Sequence, residues 1–400
     1  MCLINSTLPR RIVPQYLSIL MLVVATGMAV RHPTPSIQRG SLHWVTGYWH
    51  GPRTVGELPA AEIEYSALTH VVHYALIPNS DGSFEPKSLQ AVTKYAHELI
   101  STAHQNRVRV LLGVTQTTYG GDYAGATRPS VMPRFIANIL RIVDQYGYDG
   151  VDIDWEPNIE PASFIAFVPA LRKALDAQSP KLELTGAFWE APWYLIRVQD
   201  AFDQINIMAY DNCGPSDGFS WYNAALYNTG VRMRRTVDWR VRQFTSVIPS
   251  RKLGLGIPFY GYVWSGGTGT STGGVSRPGQ RWRSPPAMHP MDYREILTDP
   301  TLWHARYQRR DEAAGNVPFL SIERHDSQKD VFVTYDDEIS VSRKVLYAKA
   351  HSLGGIMIYE LSGDYLPDQP RPHPLLDAVQ DAAGPLLDPQ RILKTAVASR

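Results

Sequence analysis

The sequence predicts an α/β protein: a (β/α)8 TIM barrel with a small α+β insertion between strands 7 and 8. Three observations point there. Short apolar runs alternate with helix-like stretches, the pattern of parallel βαβ units. The runs are mostly continuous in apolar residues, as strands buried on both faces are, and eight can be counted, the number that closes such a barrel. Roughly 90 residues separate the last two runs, far more than a βα connection needs. A doubly wound open sheet is the alternative, but no Gly-x-Gly-x-x-Gly turn follows an early strand.

Residues 1–30 read as an export signal. Arg10 and Arg11 precede the apolar run QYLSILMLVVATGMAV, and Gly27 and Ala29 offer a small-x-small cleavage site. The run is short for a membrane span, which needs about 20 apolar residues. An uncleaved anchor is the other reading. The expected location is secreted or periplasmic, with no membrane contact after cleavage. Cleavage would remove Cys2 and leave Cys213 alone, so no intrachain disulfide is expected.

A proline-containing linker (31–40) leads into the barrel, expected over 41–380. LHWVTGYW (42–49), THVVHYALI (69–77) and RVRVLLGV (107–114) read as the first three strands. Between the second and third, SLQAVTKYAHELISTAHQ is apolar at helical spacing. MPRFIANILRIVDQYG (132–147) reads as an amphipathic helix stopped by Gly147. YDGVDIDW follows as the fourth strand. LELTGAF (182–188), QINIMAY (204–210), KLGLGIPFYGYVW (252–264) and GGIMIYEL (354–361) complete the eight. SGGTGTSTGGVSRPG (265–279) reads as a flexible loop and lacks the Gly-Lys-Ser/Thr ending of a phosphate loop. FLSIERHDSQKDVFVTYDD (319–337) reads as short strands, so 265–337 is the expected insertion. SVSRKVLYAKAHSLG (340–354) is the helix before strand eight, and 381–400 is a tail, either surface helix or disorder.

Lys and Arg total 39 against 38 Asp and Glu, a net charge of +1 that gives no reason to expect nucleic acid as a partner. A monomer is expected. The 21 Tyr and 10 Trp are core filler first, but such rings also suit stacking on sugars. Tyr48 and Trp49 end strand one, Trp189 and Trp193 follow strand five, and Tyr260 and Tyr262 end strand seven.

The stretch from Tyr148 to Pro157 holds four carboxylates among apolar residues. On a strand, Asp152, Asp154 and Glu156 share one face, about 7 Å apart in succession, while Asp149, Val151, Ile153 and Trp155 share the other. The apolar residues would pack on the helical layer. The three acids would then point into the barrel and rise toward its C-terminal rim, where barrel enzymes place their chemistry. Burial and mutual repulsion both raise carboxyl pKa values, so the outermost acid should hold a proton near neutral pH and act as a general acid. A solvated loop would not interleave Val, Ile and Trp. A calcium loop starting at Asp152 needs Gly where Pro157 stands and Glu where Ser163 stands. Metal hydrolases also want histidines nearby, and the nearest strand-borne ones, His70 and His73, are on strand two, so neither metal nor cofactor is expected.

The run Asp149-Gly-Val-Asp152-Ile-Asp154-Trp-Glu156 resembles the signature of the family-18 glycoside hydrolases, the chitinases and their relatives. Met208–Asp211 (MAYD), GIPFYG (256–261) and GGIMIYEL are similar to the family's sixth, seventh and eighth strands. FVTYDDEISVSRKVLYAK is similar to the segment leading into the eighth, and the resemblance spans about 42–365. It implies a retaining, substrate-assisted reaction rather than the usual two-carboxylate one. Glu156 would protonate the glycosidic oxygen, and the substrate's own acetamido carbonyl would attack the anomeric carbon. Asp154 would orient the acetamide and stabilise the cation, Asp152 would share a proton with Asp154, and Tyr210 would donate to the acetamide oxygen. Tyr48, Met208, Asp211, Tyr260 and Tyr359 would bind the substrate, chitin or a chito-oligosaccharide. Three departures stand out: Tyr359 where the family usually has Trp, Tyr262 where Arg is frequent, and LLGVTQ in place of a Ser-Gly-Gly motif.

The implied activity is an exported enzyme cleaving β-1,4-linked N-acetylglucosamine. Two alternatives stay open: an endo-β-N-acetylglucosaminidase acting on N-glycans or peptidoglycan, and a non-catalytic chitin-binding lectin on the same fold.

Overall fold

The computed structural model describes residues 40–52, 57–116, 120–156, 158–230 and 235–385. The expected export signal at 1–30 lies outside the described residues, as does most of the 381–400 tail.

Eight parallel strands close a barrel. They are β1 (Trp44–Trp49), β2 (His70–Leu76), β3 (Arg109–Gln116), β4 (Gly150–Trp155), β5 (Glu183–Phe188), β6 (Gln204–Ile207), β7 (Leu253–Pro258) and, after an insertion, β13 (Gly355–Tyr359). β13 pairs with both β7 and β1, and β1 with β2, which closes the circle. Strand burial is near complete, as the continuous apolar runs require.

The helical layer includes α1 (Pro86–Gln105), α2 (Tyr123–Ala126), α3 (Met132–Tyr146), α4 (Pro161–Asp176), α5 (Trp193–Val198) and α6 (Val237–Thr245). α3 stops where the sequence indicates. Gly147 takes φ +81°, a left-handed conformation that glycine adopts freely, and its N–H caps Val143 O at 2.9 Å. The chain then enters β4 directly. Val151, Ile153 and Trp155 face this layer and are almost fully buried. Trp155 stacks on Tyr123 at 4.5 Å and meets Phe164 at 6.0 Å. Burying each such side chain contributes about 1.5–3 kcal/mol. This outward packing aims Asp152 and Asp154 inward.

The run at 252–264 does not form one strand. β7 ends at Pro258, and β8 (Tyr260–Ser265) starts a second sheet. Phe259, fully buried, makes the corner: its N–H bonds Tyr359 O at 2.8 Å and its carbonyl accepts from Tyr293 N at 3.0 Å. β8 is joined by β9 (Ala287–Asp292), β10 (Gln308–Asp311), β11 (Val317–Ile322) and β12 (Val331–Thr334) in the antiparallel order β10-β11-β12-β8-β9. The sheet therefore begins at Tyr260, earlier than the expected 265. It has its own core, in which Trp264, Val275, Val317 and Phe332 pack with Trp221 and Tyr222 from the β6–α6 connection. Next come α7 (Tyr293–Thr298), α8 (Glu338–Ala350), which precedes β13, and α9 (Pro374–Ala383). Cys213 joins the same core, and burial pushes its thiol far up, which leaves it an inert packing residue.

Candidate active site

The strand period places the acids. Asp152 is fully buried, and Asp154 and Glu156 are half-buried. Glu156 sits one residue past β4, its N–H still bonded to Gln116 O of β3 at 3.3 Å. Asp149 belongs to the strand's start: its Oδ2 accepts from Val110 N at 2.7 Å and lies 2.8 Å from His104 Nε2.

Neighbouring strands supply separate hydrogen-bond partners for each inward acid. Asp152 accepts from Tyr48 Oη at 2.6 Å and Thr185 Oγ1 at 2.5 Å. Asp154 Oδ2 accepts from Tyr74 Oη at 2.5 Å and Thr115 Oγ1 at 2.9 Å. Among the described residues no hydrogen bond joins Asp152 to Asp154. Glu156 Oε1 accepts from the backbone N–H of Trp189 at 3.2 Å.

These surroundings set the proton affinities. Burial pushes Asp152 up to about 6, with the Asp154 charge adding to it and the donors from Thr185 and Tyr48 opposing it. Burial also raises Asp154, against the donors from Tyr74 and Thr115. Glu156 is pushed up to about 7, first by burial and then by the Asp154 charge; the Trp189 N–H and the Arg240 cation act the other way. A carboxyl near 7 is half protonated at neutral pH and can deliver its proton.

Around the row stands a ring of aromatics. Tyr359, half-buried at the end of β13, lies 5.6 Å from Tyr48, 5.9 Å from Tyr74, 6.2 Å from Tyr210 and 6.4 Å from Tyr260. Tyr210 is 4% exposed, its Oη 3.9 Å from Met357 Sδ. Gly256 makes room for it: a Cβ there would lie 3.0 Å from Tyr210 Cε1 and 2.3 Å from Ile207 O.

Strand β6 ends at Ile207, so Met208–Asp211 lie just beyond it and not within the expected 204–210 strand. Met208 is half-buried against the main core. Asp211 turns through φ +54°, and its Oδ1 accepts from Tyr260 Oη at 2.5 Å and Tyr262 Oη at 2.8 Å. Burial raises this carboxyl while the two phenols oppose the rise. Both tyrosines belong to β8 in the insertion sheet and do not end strand seven.

Two expectations need correction. Tyr48 is 1% exposed, and its hydroxyl is committed to Asp152. It holds a carboxylate from behind and offers no face to a ligand. Trp49, next along β1, points the opposite way into the helical layer and donates to Leu58 O at 3.0 Å. Trp193, by contrast, is 55% exposed at the start of α5.

Sequence reasoning missed Tyr74, Thr115, Thr185 and Arg240. Strand register explains the two threonines: Thr115 lies directly across from Asp154, and Thr185 from Asp152. Tyr74 sits where the register of β2 on β3 slips, between His73 and Leu76, a kind of irregularity that re-aims side chains. Among the described residues, no group of three or more His, Cys, Asp or Glu could hold a metal ion.

Comparisons with known proteins place the chain in a family. Residues 45–364 match Glycosyl hydrolases family 18. The chain is 26% identical to Chitinase B of Serratia marcescens over 399 residues, covering 80% of this chain and 78% of that protein. It is 27% identical to Chitinase A1 of Niallia circulans over 295 residues, covering 64% of this chain but only 41% of that longer protein. The structure of Ostrinia furnacalis Group IV chitinase in complex with allosamidin superposes with TM-score 0.70 at 22% identity, covering 84% of this chain and 97% of that one. A Cycas revoluta GH18 chitinase in complex with (GlcNAc)3 gives 0.69 at 23% identity, covering 85% and 100%. The match runs from β1 through the β4 acids to the residues after β13, and so the chain belongs to glycosyl hydrolases family 18.

Proposed function

We propose that the protein is an exported chitinase that hydrolyses β-1,4 linkages between N-acetylglucosamine units with retention, by substrate-assisted catalysis. The observation that carries this reading is the carboxylate row. The outermost acid, Glu156, has a proton affinity near neutrality, which suits protonation of a leaving oxygen. The next, Asp154, is tied by Tyr74 and Thr115, which suits a fixed anion better than an attacking nucleophile. The nucleophile is then the substrate's 2-acetamido carbonyl, as in the substrate-assisted exceptions among glycosidases.

In this reading the acetamido oxygen closes on the anomeric carbon as Glu156 gives its proton to the departing oxygen. The Asp154 carboxylate faces the acetamide N–H and the positive charge that develops, and the Tyr210 hydroxyl donates to the acetamide oxygen. Glu156, now a carboxylate, takes a proton from the water that opens the oxazolinium ring. Asp152, held by Tyr48 and Thr185, acts on Asp154 through its charge in place of the shared proton expected from the sequence. Tyr359 and Tyr260 offer ring surface to the sugar, and Asp211 an acceptor for its hydroxyls. The relatives named as chitinases support the substrate class, and the apolar run at 15–30 supports export to the exterior or periplasm.

Turnover of a fluorogenic chitotrioside, with the β-anomer appearing first by NMR, is the test. Binding of chito-oligosaccharides without turnover would overturn the reading in favour of a lectin. Faster cleavage of N-glycan or peptidoglycan substrates would move the substrate class but keep the chemistry.

A further inference from the structure

Arg240 lies on α6, is 2% exposed, and among the described residues pairs with no carboxylate through a salt bridge. A buried cation without an ion-pair partner is costly unless its hydrogen bonds and surroundings answer for it. Here two of its contacts, one to the backbone and one to the ring, meet on Trp189. Arg240 Nη1 donates to Trp189 O at 2.5 Å, and its guanidinium lies 4.4 Å from the centre of the Trp189 ring. Nη2 donates to Asn212 Oδ1 at 3.3 Å, just past the MAYD segment. Trp189 is pinned at two further points. Its indole Nε1 donates to Tyr210 O at 3.2 Å, and its backbone N–H donates to Glu156 Oε1 at 3.2 Å. The only hydrogen bond given to Glu156 Oε1 among the described residues thus comes from a residue that Arg240 grips by both carbonyl and ring.

We propose that Arg240 is a positioning residue for Glu156: it clamps Trp189 so that the Trp189 backbone N–H stays aimed at the Glu156 carboxylate, and it adds its own positive charge behind that contact. Burial lowers the guanidinium only to about 10, so it stays charged at neutral pH. The charged and titratable groups around Glu156 are Asp154 beneath it, Asp211 past β6, the phenols of Tyr194 and Tyr210, and Arg240. Around Arg240 they are Glu190, Arg235, Glu156 and Asp211. Among the described residues, Arg240 is the cation that acts on Glu156. Burial and Asp154 hold the proton on Glu156; Arg240 and the N–H it aims hold the acid strong enough to release it. Trp189, clamped flat and half-buried, also becomes a rigid wall beside the acid. The inference rests on the reading of Glu156 as the general acid, but its measurement does not depend on turnover.

The experiment is an NMR titration of protein carrying 13C at the glutamate side-chain carboxyls, with the Glu156 signal assigned by its loss in Glu156→Gln. In Arg240→Met, which keeps length and packing, the Glu156 midpoint should rise by about half a unit or more, the effect of removing a nearby opposite charge and loosening a donor. The basic limb of kcat/KM on a chitotrioside should move upward with it, and kcat should fall more than KM rises. Arg240→Lys, which keeps the charge but loses the planar fork, should move the midpoint less and still lower kcat. An unmoved midpoint in Arg240→Met overturns the proposal, whatever happens to activity. Should that variant fail to fold, a Glu156 midpoint and kcat unchanged in Arg240→Lys overturn it equally. If the wild type shows no turnover but the midpoint rises, the chitinase reading fails and the role of Arg240 stands.

Discussion

Glu156→Gln should do two separable things: abolish turnover, and stabilise the fold by an amount that grows with pH. The second follows from the site's electrostatics. Glu156 has a folded-state pKa of about 7 against an ordinary value of 4.5. A raised carboxyl pKa means that the folded protein holds the proton more tightly than the unfolded chain does. Its stabilising contribution is therefore complete below about pH 4.5 and is lost as pH rises through 7. The gap of 2.5 units corresponds to about 3 kcal/mol at 1.36 kcal/mol per unit. Solvent reaches a half-buried group, so roughly half of that, about 1.5 kcal/mol, is the expected measured difference. Gln is close in shape and carries no charge, so the variant escapes this loss. Urea unfolding of both proteins from pH 4 to pH 8.5 measures it. The stability difference should be flat below pH 4.5 and climb in favour of Gln up to about pH 8. A difference independent of pH, or one favouring Glu at high pH, would refute the assignment of Glu156 as a buried, proton-holding acid.

Tyr74→Phe removes the 2.5 Å donor from Asp154 and, among the described residues, leaves Thr115. A hydrogen bond to a charged group contributes about 1.5–3 kcal/mol. The Asp154 pKa should rise further, so the acid limb of kcat/KM should move up by about one unit; an unmoved limb argues against Asp154 being needed as an anion. Tyr359→Ala deletes the ring at the centre of the aromatic cluster and should raise KM for chito-oligosaccharides about tenfold, the loss of ~1.4 kcal/mol of stacking; isothermal titration with a catalytically dead variant checks it. Lys344 and Asp336 form an ion pair with both side chains almost fully buried. Lys344→Met strands the carboxylate and should cost about 3–5 kcal/mol by denaturant unfolding, whereas a loss under 1 kcal/mol would mean that the pair is dispensable.

Much of the site could be read in the sequence because strand periodicity is local. Val151, Ile153 and Trp155 demand one buried face, and the acids between them must take the other. Gly147 ends the helix that delivers the chain into β4 by a conformation that glycine adopts freely. The MAYD segment was recognisable, but not the fact that β6 stops three residues before Tyr210. The 252–264 run read as one strand because both halves are apolar; the corner at Phe259 comes from partners at Tyr359 and Tyr293, far along the chain.

What the sequence by itself determined is the order of the barrel, the inward row Asp152–Asp154–Glu156, and the raised proton affinity that such a row must have. Only the tertiary structure decided which groups restrain each acid. Thr115 and Thr185 reach Asp154 and Asp152 through the registers of β3 and β5 on β4. Tyr48 faces the acids from behind and Trp49 does not, because closure of β1 on β2 and β13 chooses the inward face. Arg240 reaches Glu156 through Trp189, 51 residues away. A local period fixes which way a side chain points; only long-range pairing fixes what it meets.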